Sequence, residues 1–343
     1  MRAAGRGGKP VTIKDIAKKA NVSYATVSRA LSGSQSIRSE TRQRILEICE
    51  ETGYTVNSVA RSMVLRETRL LGLILPNIDN PYMSELAYHI ERTARSRDYS
   101  IMLFNSAHDL KAEEQAFTLL LGRQVDGIMI FPARRESYQN IKKYLRKVPT
   151  VFVNENLQDK PESYVTVDNY LGARLGTEYL LELGHRKLLY FGRYQNSVTH
   201  ILRARGFEET CIKNGITPQF LENTYNDTSI QIGYELAKEL FEKPLEFTAM
   251  LAAADTLALG VMQAADELGL RIPQDFSLLG YDNIRYSELP KINLSTIEQP
   301  KRAIASVAVE MLLEKIQNDY EGYSHRILAP TLIKRSSCQP LDA

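Results

Sequence analysis

Apolar residues recur at helical intervals along the first 54 positions. Ile13, Ile16, Ala17 and Ala20 follow the i, i+3, i+4, i+7 rhythm of one buried helix face, and Thr12 with Asp15 three positions on reads as an N-cap. Asn21 ends the run; Asn tolerates the left-handed conformation of a tight interhelical turn. In the next stretch, SYATVSRAL from a capping Ser23 to Leu31, Val27, Ala30 and Leu31 share one face, and Tyr24, Ala25, Ser28 and Arg29 lie opposite. A third helix starts at Ser39, carries Ile45, Ile48, Cys49 and Thr52 along one face, and stops at Gly53. Two helices across a very short turn, with a third closing the core, form a helix-turn-helix pattern. In that arrangement the first turn of the second helix points into the major groove of DNA.

YTVNSVARSM follows Gly53. Asn57 can cap it, and Val59 and Met63 share a face. It is shorter than the roughly 12 residues an isolated helix needs in water, so as a helix it requires external support. From Leu70 onward the texture changes. The short apolar runs LLGLILP, SIMLFNS, VDGIMIFP, PTVFVNE, KLLYFG, TAMLAAAD and FSLLGYD alternate with helical patterns over 81–98, 111–123, 169–184, 200–214, 229–242 and 256–269. Strands that are apolar throughout, separated by helices, make a parallel sheet covered on both faces. The length suits two doubly wound lobes better than one. In such sheets ligands bind beyond the carboxyl ends of the strands, which singles out the residues just after each run.

Charge sharpens the division. Residues 1–66 hold 12 Lys/Arg against 5 Asp/Glu, a net of +7, whereas the rest of the chain holds 31 against 36, a net of −5. A small basic head on a mildly acidic body is the footprint of a protein that meets a polyanion at one end only. The basic, Gly-rich opening MRAAGRGGKP has no apolar core or cleavage site and reads as a disordered arm over 1–10. Three scattered cysteines suggest no disulfide framework, and five dispersed histidines lack metal-ligand spacing, so a cytoplasmic protein with no metal or cofactor is expected. No G-x-G-x-x-G, Walker loop, G-x-S-x-G or H-E-x-x-H is present, which argues against an enzyme.

VTIKDIAKKANVSYATVSRAL, GYTVNSVARSM, LGLILPNIDNPYMSEL, VDGIMIFP, RARGF, PQDFSLLGYDN, LSTIEQP and LIKRSSC occur in an order and spacing that resembles the lactose-repressor (LacI/GalR) family of bacterial transcription regulators, from about Val11 to Cys338. The resemblance implies a small all-α helix-turn-helix head over 11–56 and a hinge helix and linker over 57–66. It further implies an α/β core of periplasmic-binding-protein type I over 67–343, with parallel doubly wound sheets and three chain crossings. The amino-terminal lobe is expected at 67–158 plus 292–320 and the carboxy-terminal lobe at 159–291 plus 321–343. Carried over residue by residue, Tyr24, Ala25 and Arg29 read bases, while Ser23, Thr26 and Ser28 meet the DNA backbone. Asn57, Ala60 and Met63 enter the minor groove, with Met63 as the wedge where relatives usually have Leu; Val56 replaces the usual Pro before the hinge. For the effector the resemblance points to Arg203 and Asp282, with Thr199, Asn154, Asn80 and Tyr82 facing the ligand. Arg203 and Asp282 are alternatively a structural ion pair across the cleft. Ala254 stands where several sugar-responsive members have Asn, so ligand identity cannot be copied from them.

The expected partners are a pseudo-palindromic double-stranded DNA operator, a small-molecule effector (a sugar or sugar derivative) and a second copy of the chain; no membrane is involved. The expected function is effector-controlled repression of a carbon-utilisation operon. The alternative is a global carbon-catabolite regulator controlled by a phosphoprotein corepressor. Arginine is the commonest reader of guanine, through O6 and N7. Arg29→Ala is therefore expected to relax preference at one base pair and to cost about 1–3 kcal/mol there. Equal weakening on operator and random DNA in a binding assay would remove the base-reading role.

Overall fold

A computed structural model describes residues 11–31, 36–54, 67–155, 157, 160–225, 227–317 and 322–341. The arm over 1–10 and the hinge residues Asn57, Ala60 and Met63 lie outside the described residues. The chain divides after Thr68 into two compact units.

The first unit contains helices α1 (Ile13–Ala20), α2 (Tyr24–Leu31) and α3 (Ser39–Thr52). The Asp15 carboxylate accepts from the backbone N–H and the hydroxyl of Thr12 at 2.8 and 2.7 Å, which satisfies donors that a helix start leaves open. Asn21 takes the left-handed conformation (φ 50°), as does Gly53 after α3 (φ 61°), so both helices end where a residue tolerant of that geometry stands. The N–H of Thr26 donates to Ser23 Oγ at 3.1 Å and caps α2. Ile16, Ala17, Ala20, Val27, Ala30, Ile45 and Cys49 close the core of this unit.

The second unit is built on two six-stranded sheets. The first contains β1 (Leu70–Leu75), β2 (Ser100–Asn105), β3 (Gly127–Ile130), β4 (Thr150–Val153), β5 (Ser163–Val167) and β11 (His325–Leu328), in the order β11-β5-β4-β3-β1-β2 and all parallel. Helices α4 (Pro81–Arg95) and α11 (Lys301–Gln317) pack on one face, and α5 (Leu110–Gly122) and α6 (Ser137–Ile141) supply residues to the core on the other. The second sheet runs β12-β10-β9-β8-β6-β7. Its strands are β6 (Leu188–Arg193), β7 (Gln219–Glu222), β8 (Ala249–Ala252), β9 (Ser277–Asp282), β10 (Ser295–Glu298) and β12 (Thr331–Ile333), with only β12 antiparallel. Around it lie α7 (Asn169–Glu182), α8 (Val198–Lys213), α9 (Ile230–Phe241) and α10 (Asp255–Glu267).

Strand pairing corrects the expected lobe boundaries. Residues 163–167, placed with the carboxy-terminal lobe, pair with β4 and belong to the first sheet. Residues 295–298, placed with the amino-terminal lobe, pair with β9 in the second sheet, and 325–328 return to pair with β5 in the first. The chain thus passes between sheets near Asp168, near Gln299 and between Leu328 and Thr331. These crossings sit at strand ends because a paired strand is the unit that belongs to a lobe.

Helices α9 and α10 meet at backbone distance. A Cβ on Gly233 would stand 2.4 Å from the carbonyl oxygen of Leu257, and one on Gly260 would stand 2.3 Å from that of Ile230. In an exposed helix Gly→Ala gains about 0.5–1 kcal/mol. Here Gly260→Ala is expected instead to destabilise by about 1–3 kcal/mol, because the helices must move apart. Urea unfolding checks this; a stabilised variant would show that the helix pair is not close-packed.

Candidate functional site

In the head, burying Val27 and Ala30 turns the other side of α2 outward. Tyr24 is 48% exposed, and Ala25 and Arg29 are exposed beside it. The hydroxyls of Ser23 and Thr26 are 2.9 Å apart and bond to each other at the helix start, while Ser28 is half-buried. The three residues expected to read bases therefore share one open surface, and the three expected to meet the backbone flank it. An aromatic ring, a methyl group and a guanidinium on the first turns of such a helix can reach base edges in a major groove.

In the core, charged and polar side chains gather at the carboxyl ends of the strands. Arg203, on α8, is 2% exposed. Its Nε donates to Asn169 Oδ1 at 2.8 Å, and its Nη1 donates to the Ala253 carbonyl at 2.7 Å and lies 3.4 Å from Asp282 Oδ1. The guanidinium carbon lies 3.7 Å from the centroid of the Tyr281 ring, a cation–π contact. Asp282 Oδ1 also accepts from Gln299 Nε2 at 2.6 Å, and Gln299 Oε1 accepts from the Tyr82 hydroxyl at 2.9 Å. Burial raises the Asp282 carboxyl from its ordinary value, and the charge of Arg203 is the main influence holding it down. The continuous path Arg203–Asp282–Gln299–Tyr82 joins the second sheet to α4 on the first.

Behind it, Asp255 is fully buried. Its oxygens accept from Thr296 Oγ1 and Ser287 Oγ, both at 2.6 Å, and from the Ile284 N–H at 3.0 Å. The segment that carries Asp282 is thereby tied to β10. Burial first, and then the nearby Asp282, push the Asp255 carboxyl up to about 7.

The expected effector residues fare differently. Tyr82, Arg203 and Asp282 come together as described. Arg203 and Asp282 do form an ion pair, but both belong to the second sheet and its helices, so the pair does not cross the cleft; Gln299 and Tyr82 make the crossing. Thr199 is buried one helical turn before Arg203, with its hydroxyl 2.6 Å from Ser197 Oγ. Asn154 follows β4 at φ 59°, and its side-chain oxygen is buried without a hydrogen-bond donor among the described residues. A buried unsatisfied acceptor is what a ligand donor would complete. Asn80 spends its side-chain oxygen on capping α4, accepting from the N–H groups of Tyr82 and Met83, which leaves its amide nitrogen for a ligand.

Gln299, Asn169 and Tyr190 were not picked out by sequence reasoning. The Tyr190 hydroxyl is buried and unpartnered among the described residues. Gln299 stands in LSTIEQP directly after a strand, and Asn169 just after SYVTV, so the rule that ligands meet strand ends would have found both once those strands were recognised.

Comparison with known proteins supplies the wider context. A model described as "Bacterial regulatory proteins, lacI family" matches residues 12–57, and one described as "Periplasmic binding protein-like domain" matches 177–338. The chain is 32% identical to the ribose operon repressor of Haemophilus influenzae over 96% of this chain and 99% of that protein. It is 31% identical to catabolite control protein A of Priestia megaterium over 92% and 97%. Among solved structures, the lac repressor dimer bound to operator and the anti-inducer ONPF superposes with a TM-score of 0.85 at 27% identity, over 96% of this chain and all of that one.

The raised Asp255 carboxyl has a signed consequence. A group whose folded pKa lies above its unfolded value contributes stability that is present below the unfolded value and lost as pH rises through the folded one. Between about pH 4 and 7, the protein is therefore expected to lose stability relative to Asp255→Asn, by roughly 4 kcal/mol at most. Denaturant titrations across that range check the difference; parallel pH profiles for the two proteins would contradict it.

Proposed function

The chain belongs to the lacI family of bacterial regulatory proteins and is a DNA-binding transcriptional regulator; from that premise we propose that it is a repressor whose core takes up a sugar or sugar derivative and thereby sets the affinity of its head for an operator. The observation that carries this reading is the pairing of two features in one chain. One is the exposed Tyr24–Ala25–Arg29 face over a packed three-helix core. The other is the buried polar cleft around Arg203 and Asp282.

The relatives' names support the ligand class: one is a ribose operon repressor and another acts in catabolite control. The working unit is a homodimer on a pseudo-palindromic site, as with the lac repressor dimer on its operator. Tyr24, Ala25 and Arg29 read bases, and Ser23, Thr26 and Ser28 hold phosphates. Asn57, Ala60 and Met63 form the hinge contact in the minor groove, Met63 wedging between base pairs. The chain acts in the cytoplasm as a regulator and not as an enzyme.

Regulation follows from the path across the lobes. A ligand hydroxyl that donates to Asp282 competes with Gln299, and so loosens or replaces the link from Gln299 to Tyr82. Ligand affinity then differs between lobe arrangements, and only such a difference can shift operator affinity.

A second reading, control by a phosphoprotein corepressor, draws on the similar identity to catabolite control protein A. Selection of bound DNA from a random pool, with and without a metabolite extract, tests both. The expected result is a palindromic consensus whose retention changes when small metabolites are added. A consensus indifferent to every metabolite fraction but strengthened by a protein fraction would favour the second reading. No consensus at all would contradict the assignment of the head.

A further inference from the structure

A second cavity lies beside the cleft. It has a volume of about 290 Å³ and is bounded by the segment after β3, the segment after β4, and Val198 at the start of α8. Two of its lining residues adjoin residues of the cleft: Glu155 follows Asn154, and Val198 precedes Thr199. Its walls come from both lobes, and beside it the N–H of Arg135 donates to the Asn196 carbonyl at 3.2 Å across the boundary. We propose that this cavity is an anion-binding extension of the effector site, so that the effector is a monosaccharide-sized compound carrying a carboxylate or phosphate. The proposal rests on the effector reading above and specifies its chemistry.

Charge makes the first argument. Among the described residues, Arg134, Arg135 and Lys160 line the cavity against one carboxylate, Glu155. Further carboxylates stand around it, Glu162 near Tyr138 and Asp227 and Glu136 in the neighbourhood of Arg134, so the excess of cations belongs to the lining itself, where guanidinium groups match carboxylate and phosphate oxygens in paired geometry. Glu155 is 7% exposed, and because a carboxylate has several acceptor positions it can meet a ligand hydroxyl besides its protein partner, which a bare inorganic anion would not use.

Rigidity makes the second. The segment that carries the two arginines is braced from below by Glu113, which is fully buried on α5. Its Oε2 accepts from the Ala133 N–H at 2.8 Å and from Ser137 Oγ at 2.9 Å. Ser137 Oγ in turn accepts from the Arg134 N–H at 3.0 Å, and Arg134 Nε donates to the His108 carbonyl at 3.0 Å. The Arg134 side chain is thus aimed by the protein rather than by solvent. A site held ready in this way spends little ordering entropy on its ligand.

Size and lining make the third. Tyr138 and Phe152 provide apolar walls, with Lys160 Nζ 5.5 Å from the centroid of the Tyr138 ring. The volume stands at the lower end of small-molecule pockets, which run from about 300 to 1,000 Å³, so one sugar ring fits. The charged lining is on the first lobe, and the cavity meets the second at Val198 and, beside it, at the Arg135–Asn196 hydrogen bond, which is where a bound anion can couple to lobe motion.

Calorimetry on the full chain tests this with glucose 6-phosphate, ribose 5-phosphate, gluconate, glucose and inorganic phosphate, for the unaltered protein, Arg135→Ala and Lys160→Gln. Expected is saturable binding of at least one sugar phosphate or sugar acid, weakened tenfold or more in each variant, with glucose and inorganic phosphate at least tenfold weaker. A phosphorylated ligand binding while gluconate does not assigns the anion as phosphate, and the reverse assigns it as carboxylate. The proposal is overturned if no acid or phosphate binds, if glucose binds as tightly as its phosphate, or if neither variant weakens binding. Operator retention is measured on the same proteins. A neutral sugar that alters retention would sink the anion site and keep the effector reading, whereas anion binding without any change in retention would do the opposite.

Discussion

The arrangement of the core depends on a charge that has been taken out of water. Arg203 is 2% exposed and Asp282 5%, and burying a lone ion costs several kcal/mol even after relaxation. Neither residue is tolerable without the other, nor are the two sufficient by themselves. The guanidinium still needs Asn169 and the Ala253 carbonyl, and the carboxylate still needs Gln299. Each requirement recruits a different element, so one ion pair aligns the start of α7, the end of β8, the end of β9 and the crossing after β10. The Tyr281 ring beneath the guanidinium closes the arrangement from the remaining side.

That arrangement suits a switch better than a pure stabiliser. A buried polar network whose members satisfy one another is stable only while every partner stays in place. A ligand with its own hydroxyls can replace the amide of Gln299 at Asp282 without leaving a charge unpaired, and the link to Tyr82 then changes hands. Asp255 backs the same segment through Thr296, Ser287 and Ile284, which keeps Asp282 in place while its partner changes. The cavity next to the cleft adds a positive wall to this otherwise balanced site. On the proposed reading, ligand chemistry is divided between a cleft that matches hydroxyl groups and a neighbouring pocket that matches charge.

Much of this was legible in the sequence where a residue type has one dominant physical use. The three head helices and their stops at Asn21 and Gly53 followed from apolar spacing and from the left-handed positions those residues occupy. The seven apolar runs all became strands; six are buried along nearly their whole length, as continuous apolar sequence requires of a strand covered on both faces, while Ser100–Asn105 at the edge of its sheet is only partly covered. Tyr82, Arg203 and Asp282 were found through the resemblance and meet in the structure. Ser163–Val167 and Ser295–Glu298 were overlooked because serine and threonine interrupt their apolar pattern; several of those hydroxyls find partners on distant segments, as when Ser295 Oγ donates to the Arg335 carbonyl, while Thr166 Oγ1 is buried without a partner among the described residues. Missing these two strands together with His325–Leu328 misplaced the lobe boundaries, and missing the first two hid Asn169 and Gln299, which follow them. The helix Lys301–Gln317 was passed over as well. Of the lining of the cavity, Arg134, Glu155 and Val198 stand just after apolar runs and so among the strand-end residues that the sequence singles out, whereas Arg135 and Lys160 look like ordinary surface charge, and the sequence does not show that these distant segments meet.

The central claim, that Arg203 and Asp282 are held as an interdependent buried pair, is tested most directly by a double-mutant cycle on unfolding free energy with Arg203→Met, Asp282→Asn and the two combined. Asparagine is chosen at 282 because the backbone there stands at φ 119°, where few side chains sit easily. The account predicts that Arg203→Met alone costs about 3–5 kcal/mol by stranding a buried carboxylate. The double variant should lose clearly less than the sum of the single changes, with a coupling of about 2 kcal/mol or more. Strictly additive losses would contradict it, because they would mean that each residue is stabilised by its other neighbours and that the pair organises nothing.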